Sequence, residues 1–283
     1  MTGPIEKRRV RPSSPSFRLA NPALHGIVFV LFLAAWQLVV RLGFVNDFIL
    51  PPPTDVAASI VELYWQSGDI YRHLFVTFCE TVIGFAIGAS FGVALAVASA
   101  LSDRFLTYAS PYAIVLNVTP GLALTPLVIA WFGFGWSSKI ALAAIICFFP
   151  VFINVLTGLM QDGGEREEMF RSMGATRFQT FRLLKVPQAM PLAFAGLKIG
   201  VTTALLGAIV AEFTQATEGV GVIMQRFSFS LDMGSAIAAL LSMSLLGLVL
   251  FGAIELLDNR VVFWRHEKGR QSTATRRRRA WRS

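Results

Sequence analysis

Residues 165–187, EREEMFRSMGATRFQTFRLLKVP, form a charged amphipathic segment between two long apolar runs. Acidic residues lie at its start and basic residues towards its end, an order that suits the helix dipole. Glu167 and Arg171 have the i,i+4 spacing of a helical ion pair. Gly174 interrupts the segment and provides the backbone freedom for a sharp bend. The sequence therefore predicts a polar hairpin of two short helices, the second ending at Pro187.

The apolar residues of this hairpin recur at helical spacing on both sides of the bend. They are Met169, Phe170 and Met173 before Gly174, and Phe178, Phe181 and Leu184 after it. Two interpretations fit this pattern. The hairpin lies on the lipid headgroups as an interfacial amphipathic element, or its aromatic face inserts into a groove of a cytosolic partner.

The composition places the chain in a membrane. Of its 283 residues 54% are hydrophobic and only 15% are charged, whereas an ordinary soluble domain is roughly a quarter charged. The mean hydropathy is +0.60. These values exclude a soluble enzyme as the default class.

Six apolar runs are long enough to cross a bilayer, which takes roughly 20 residues per helix. They lie at about 24–42, 74–101, 111–132, 140–160, 190–213 and 235–257. Because backbone polar groups cannot stay unpaired in lipid, each run should be a helix. The predicted fold is an all-α, polytopic membrane protein with six transmembrane helices and a cytoplasmic hairpin between helices 4 and 5.

The chain divides into five predicted parts. These are a basic N-terminal segment (1–23), the first transmembrane helix (24–42), an external connection (43–73), a transmembrane domain containing the hairpin (74–258) and a basic tail (259–283). The tail is interpreted as a lipid-facing segment beside anionic headgroups rather than as a nucleic-acid-binding element.

The distribution of Lys and Arg predicts the orientation. Twenty of these residues fall in the two termini, the 102–110 loop and the 161–189 hairpin, against three, Arg72, Lys139 and Arg226, in the alternate loops. Because positive charge accumulates on the cytoplasmic side, both termini and the hairpin are predicted to face the cytosol.

Small residues within the spans predict close helix packing. Gly84, Gly88 and Gly92 recur at every fourth position of the second span, a spacing typical of a seam where two helix backbones approach. Cys79 and Cys147 also lie in apolar runs, and two such cysteines form neither a disulfide framework nor a zinc site. No metal site is predicted.

Polar residues and prolines inside the spans are candidates for a translocation path. The third span is interrupted at Asn117 and Pro120, and the fourth carries Asn154. Such breaks indicate either kinks against neighbouring helices or walls of a path. Glu80 and Glu212 are intramembrane carboxyl groups, which contact substrate, brace an outer gate, or cap a neighbouring helix.

The hairpin resembles the EAA loop of bacterial ABC importer permeases. That pattern is Glu-Ala-Ala, three residues, Gly, nine residues, Ile, one residue, Leu-Pro. Five positions fit it at the right spacing: Glu168, Gly174, Leu184, Val186 and Pro187. Met169 and Phe170 stand in place of the two alanines. The resemblance implies that the contact with an ATPase involves Glu168, Met169, Phe170, Gly174, Ala175, Arg177, Leu184 and Pro187.

The resemblance covers about residues 70–258 and indicates a type-1 transmembrane domain of the nitrate/sulfonate/taurine group. Within that group, TFCETVIGFAIG, LTPLVIAWFGFGWSSKI, FFPVFINVLTGL and GLKIGVTTALLGAIVAEF look most like the permeases for thiamine-precursor pyrimidines and riboflavin. Many sulfonate-type members have Arg where this chain has Glu80. This difference favours a heterocyclic substrate over sulfonate or nitrate.

The resemblance also implies partners. A second permease copy completes the path in a bacterial inner membrane, an extracytoplasmic binding protein delivers substrate, and a cytosolic ATPase supplies energy. The chain has no G-x-x-x-x-G-K-[ST] phosphate loop, so ATP and Mg²⁺ belong to that ATPase and this chain binds no cofactor. It is predicted not to be an enzyme.

Two other function classes fit the sequence less well. An ion-gradient-driven secondary transporter would need neither an ATPase nor a hairpin of this spacing. A membrane-embedded enzyme would need a catalytic constellation, but the chain has no H-E-x-x-H motif, and His25, His73 and His266 are dispersed. The ATP-driven importer is the preferred interpretation.

Overall fold

The computed structural model describes residues 22–264 apart from residues 103, 109, 110, 112–114, 116–118, 120, 162, 163 and 216. The main helices are α1 (Pro22–Arg41), α2 (Pro53–Val61), α3 (Asp69–Leu101), α4 (Thr125–Phe132), α5 (Trp136–Leu159), α6 (Glu165–Ser172), α7 (Arg177–Thr180), α8 (Val186–Gln215), α9 (Val220–Phe229) and α10 (Met233–Val261). Short helical turns of other pitch lie at Glu62–Ser67, Gly121–Leu124 and Phe181–Lys185. No strand occurs in these described ranges, which confirms the all-α class.

Five of the helices, α1, α3, α5, α8 and α10, are long and apolar enough to cross a membrane. They correspond to the first, second, fourth, fifth and sixth predicted spans. The third predicted span, 111–132, lies partly outside the described residues, and its described part includes the Gly121–Leu124 turn and α4. The predicted connection 43–73 contains α2 and the Glu62–Ser67 turn, and α3 begins within it at Asp69.

The chain forms two compact units, the first ending at Asp55 and the second beginning at Val56. In the first unit, the Gln37 side chain lies 3.3 Å from the Thr54 hydroxyl. The second unit holds the other four long helices and all the site residues described below.

Helix α5 lies between α3 and α8 at the centre of the second unit. Its residues Ala143, Cys147 and Val151 are fully buried. A Cβ atom added at Gly84 of α3 would lie 2.5 Å from the Cβ of Ala143, and one at Gly207 of α8 would lie 2.9 Å from the Cα of Ala143. Glycine therefore permits both neighbours to approach α5 more closely than any other residue would.

The order of these contacts gives the helix directions. Gly84 meets Ala143, and Gly92, further along α3, meets Phe148 of α5, so α3 and α5 run parallel. The connection between two parallel helices has to return along the bundle. Its described part packs beside α5, where Val128 of α4 is buried.

The second half of the hairpin continues into α8 without a break. Helix α7, the turn Phe181–Lys185 and α8 follow one another directly, and Pro187 lies in the first turn of α8. The expectation that Pro187 ends the second hairpin helix is therefore wrong. The preceding turn is π-helical, with hydrogen bonds between residues five apart, and Pro187 follows it as the second residue of α8, so its missing N–H does not interrupt the helix.

Candidate functional site

A buried polar cluster of four side chains, Thr77, Glu80, Lys139 and Glu212, joins α3, α5 and α8 at one end of the bundle. All four residues are buried. The Lys139 ammonium forms an ion pair with Glu80 Oε1. Glu80 and Glu212 also interact electrostatically with each other, and Lys139 interacts with both. The cluster thus contains two buried acids and one buried base, whose pairing offsets part of the cost of desolvation.

The Glu212 carboxylate holds the turn at residues 217–221. Its Oε1 accepts a hydrogen bond from the Thr77 hydroxyl at 2.6 Å, and its Oε2 accepts one from the Gly221 N–H at 2.7 Å. The Thr77 hydroxyl oxygen accepts a further bond from the Val220 N–H at 2.9 Å. Gly219 has a φ of +129°, and a side chain there would collide with the Glu212 carboxylate. This position therefore requires glycine.

The same turn is tied to α3 and α5. Lys139 Nζ donates to the Glu218 carbonyl oxygen at 2.9 Å, and His73 Nδ1 accepts from the Gly219 N–H at 3.0 Å. At the exposed edge, Arg72 forms an ion pair with the Glu218 carboxylate. The polar cluster therefore fixes the 217–221 turn against three helices at once.

The structure places the candidate path residues in different environments. Glu80 and Glu212 are fully enclosed and bonded to groups of the chain itself. Asn154 is half-buried, and its side-chain amide donates to the Pro150 carbonyl at 2.8 Å. Asn117 and Pro120 lie outside the described residues. The described residues therefore bring Glu80 and Glu212 together and leave Asn154 separate on α5.

Sequence reasoning missed Lys139 and Thr77. Lys139 was assigned to an external loop, but α5 already begins at Trp136 and Lys139 lies buried in its first turn. The available signal was a lysine at the end of one span and a glutamate, Glu80, within another, since buried charges need opposite partners. Thr77 offered no such signal.

The bend of the hairpin is a Schellman motif around Gly174. The Gly174 N–H donates to the Arg171 carbonyl at 2.9 Å, and the Ala175 N–H donates to the Phe170 carbonyl at 3.0 Å. Gly174 has a φ of +77°, a left-handed conformation that favours glycine. Thr176 then starts α7 with a capping box shared with Gln179. The predicted bend at Gly174 is therefore present, with local bonds that define it.

The hairpin leaves an apolar surface uncovered. Met169, Met173 and Phe178 are 52%, 70% and 68% exposed. Phe181 is half-buried and packs against the core around Phe152. The two aromatic residues that shared one predicted face thus differ: Phe178 points away from the bundle and Phe181 anchors the hairpin to it.

The remaining residues of the predicted ATPase contact fall into two groups. Glu168, Gly174 and Arg177 are exposed. The half-buried members are Phe170, Ala175, Leu184 and Pro187. The exposed group lies around the bend, where a partner has access.

Comparison with known proteins identifies the family. Residues 72–263 match the family of binding-protein-dependent transport system inner membrane components. The chain belongs to this family of ABC importer permeases. Its group is the nitrate/sulfonate/taurine group.

Three relatives of this permease cover most of its length. It is 30% identical to the formylaminopyrimidine transport permease protein ThiX of Halalkalibacterium halodurans, over 89% of this chain and 99% of the relative. It is 31% identical to the putative aliphatic sulfonates transport permease protein SsuC of Bacillus subtilis, over 83% and 85%. It is 32% identical to the riboflavin transport system permease protein RibX of Chloroflexus aurantiacus, over 90% and 96%.

The fold of the permease also occurs among solved structures. A chain of an amino acid ABC transporter, solved with histidines, superposes with a TM-score of 0.56 at 19% identity, over 77% of this chain and 100% of that one. At this identity the similarity establishes a shared fold.

Proposed function

We propose that this permease forms the translocation path of an ATP-driven importer and that its hairpin docks onto a separate ATPase subunit. The observation that carries this proposal is the exposed apolar surface of Met169, Met173 and Phe178 on an otherwise charged element. A soluble partner with an apolar groove would bury these side chains, as in other helix-in-groove contacts. Movement of the hairpin would reach the spans directly, because α7 is continuous with α8.

The proposed assembly contains two permease copies, two ATPase subunits and an extracytoplasmic binding protein in a bacterial inner membrane. Both termini and the hairpin face the cytosol, in agreement with the excess of Lys and Arg there. The polar cluster and the 217–221 turn then lie at the outer end, where substrate arrives. ATP and Mg²⁺ are bound by the ATPase. An ion-gradient-driven mechanism has less support, since the family is defined by its dependence on a binding protein.

The proposed roles of Glu80 and Glu212 are to brace the outer end of the path. Both carboxylates are buried and engaged with Lys139 or with the 217–221 turn. Releasing them to bind substrate would leave Lys139 and the Gly221 N–H unpaired at a cost of several kcal/mol. Their effect on substrate is therefore exerted through the position of the turn.

The proposed substrate is a small heterocycle of the pyrimidine or flavin type. The formylaminopyrimidine and riboflavin relatives support this class. Sulfonates are the second candidate class, favoured by the relative of similar identity named for aliphatic sulfonates.

Uptake into proteoliposomes that contain the permease, its ATPase and its binding protein tests the proposal. We expect ATP-dependent accumulation of a labelled formylaminopyrimidine or riboflavin, and none of taurine. Phe178→Ser should abolish uptake, whereas Phe229→Ser, an 81% exposed control away from the hairpin, should retain it. Accumulation of taurine would contradict the heterocyclic substrate class and favour sulfonates. Full uptake by Phe178→Ser would contradict a role of the exposed hairpin surface in coupling to the ATPase.

A further inference from the structure

A groove of about 610 Å³ lies between the hairpin and the C-terminal end of α3. Its walls combine basic side chains with apolar ones. The lining includes Leu101, Glu167, Arg171, Arg177, Phe181 and Lys185. The volume falls in the range of sites that hold small molecules.

The polar wall of the groove carries an excess of positive charge. It contains three basic residues and one acid. Glu167 pairs with Arg171 at 3.1 Å and with Lys185 at 3.7 Å. Arg177 takes part in none of the ion pairs formed among the described residues. An anion entering the groove would therefore meet two uncompensated positive charges, one of them the fork of a guanidinium, which suits phosphate geometry.

The apolar wall lies where the membrane-spanning helices end. Leu101 is the last residue of α3 and is 64% exposed, and Phe181 lies five residues before α8. The groove thus joins an apolar surface at the depth of the spans to a basic surface just beyond them. That arrangement fits an amphiphile with a negative headgroup better than a soluble anion.

We propose that this groove binds an anionic phospholipid, its phosphate on Arg177 and Lys185 and its acyl chain along Leu101 and Phe181. The lipid would link the end of α3 to the hairpin and so hold the hairpin at a fixed distance from the bundle. Met169, Met173 and Phe178 do not line the groove. The lipid would therefore leave these three side chains free for the ATPase and would share only Ala175 and Arg177 with the contact that the resemblance implies.

Native mass spectrometry of the full-length permease, purified without its ATPase, tests this site. Phosphatidylglycerol is titrated against phosphatidylcholine with the wild type, Arg177→Gln/Lys185→Gln and the control Arg182→Gln, an exposed hairpin residue that does not line the groove. We expect preferential binding of phosphatidylglycerol and a loss of affinity of about fivefold for each groove charge removed, about 30-fold for both. Arg182→Gln should bind as the wild type does.

A charge-preserving variant distinguishes the loss of positive charge from a loss of structure. Arg177→Lys/Lys185→Arg should retain phosphatidylglycerol binding within a few fold, since the charge is unchanged. Equal losses in this variant and in the Gln variant would overturn the assignment, as would equal binding of phosphatidylcholine. Displacement of bound lipid by inorganic phosphate alone would show a soluble anion site and equally contradict a lipid site. Because no ATPase is present, none of these outcomes depends on the proposed coupling.

Discussion

Lys139 holds the buried polar cluster together, because it is the base that faces Glu80 and Glu212. A buried pair contributes little against a well-packed apolar pair of the same volume, but removing one member leaves an uncompensated charge. The exposed pair of Arg72 and Glu218 has water as an alternative partner. The two pairs tie down the same turn and should differ strongly in their effect on stability.

Lys139→Met is expected to destabilise the permease by about 3–5 kcal/mol. Adding Glu80→Leu should restore part of this loss, because only Glu212 of the cluster then lacks its base, and Glu212 keeps its hydrogen bonds from the Thr77 hydroxyl and the Gly221 N–H. Arg72→Met should change stability by about 1 kcal/mol or less, since that side chain is 73% exposed. Thermal unfolding of the three variants in detergent measures their order of stability. A wild-type midpoint for Lys139→Met, or a double variant less stable than the single one, would contradict the assigned pairing.

At the scale of helices, the packing of α3 against α5 depends on three glycines. Gly84, Gly88 and Gly92 are buried and face α5, and a Cβ at Gly92 would lie 2.9 Å from the Phe148 carbonyl oxygen. The backbone of a neighbouring helix cannot move aside as a flexible side chain can. Any larger residue therefore separates the two helices along their whole contact.

Gly88→Ala is expected to destabilise the permease, because its Cβ would collide with the backbone of Ala144. Gly252→Ala in α10 is the matched control, since a Cβ there meets nothing within 4 Å. The control should leave the free energy of unfolding unchanged or raise it by about 1 kcal/mol, because alanine has a higher helix propensity than glycine. Thermal unfolding of both variants measures this difference. Equal midpoints would show that α3 and α5 can accommodate a Cβ atom at Gly88.

Much of this element-level structure was predictable from sequence. Hydrophobic length predicted six spans, and five of them correspond to long apolar helices among the described residues. The spacing of Gly84, Gly88 and Gly92 predicted a packing seam. Both signals are local in the sequence. The burial of Lys139 was not predictable, because it depends on which helices meet. The continuation of the helix past Pro187 was not predicted, because the amino-acid composition of Phe181–Lys185 does not indicate a π-helical turn. The different environments of Phe178 and Phe181 depend on contacts with the core.

For the whole molecule, the proposed topology puts the hairpin and the 217–221 turn on opposite sides of the membrane. The structure offers two exposed serines as matched probes, Ser172 at the end of α6 and Ser230 after α9. Serine to cysteine is nearly isosteric, so neither change should disturb folding. The native Cys147 is buried and Cys79 is half-buried, which limits background labelling.

In spheroplasts, a membrane-impermeant maleimide should label Ser230→Cys at once. Ser172→Cys should be labelled only after the membrane is permeabilised. The unmodified permease gives the background from Cys79 and Cys147. The reverse labelling pattern would show that the permease has the opposite orientation in the membrane. Labelling of both cysteines in sealed cells would show that the hairpin lies outside the cell.

The assembly depends on the hairpin bend, where Gly174 permits a test that separates docking from folding. A Cβ atom added at this position meets no atom within 4 Å, so alanine and tryptophan have a similar backbone strain there and differ mainly in the size of the side chain that they present to a partner. That strain is about 1–2 kcal/mol for a left-handed residue. Gly174→Ala and Gly174→Trp should therefore fold alike, and only tryptophan should obstruct the exposed surface of Met169, Met173 and Phe178.

Affinity purification from native membranes, followed by mass spectrometry of the co-purifying chains, tests the central claim most directly. We expect an ATPase subunit with the wild type and with Gly174→Ala, and none with Gly174→Trp, although all three permeases are folded. An ATPase retained fully by Gly174→Trp, or absent from a folded wild-type preparation, would contradict docking through the hairpin.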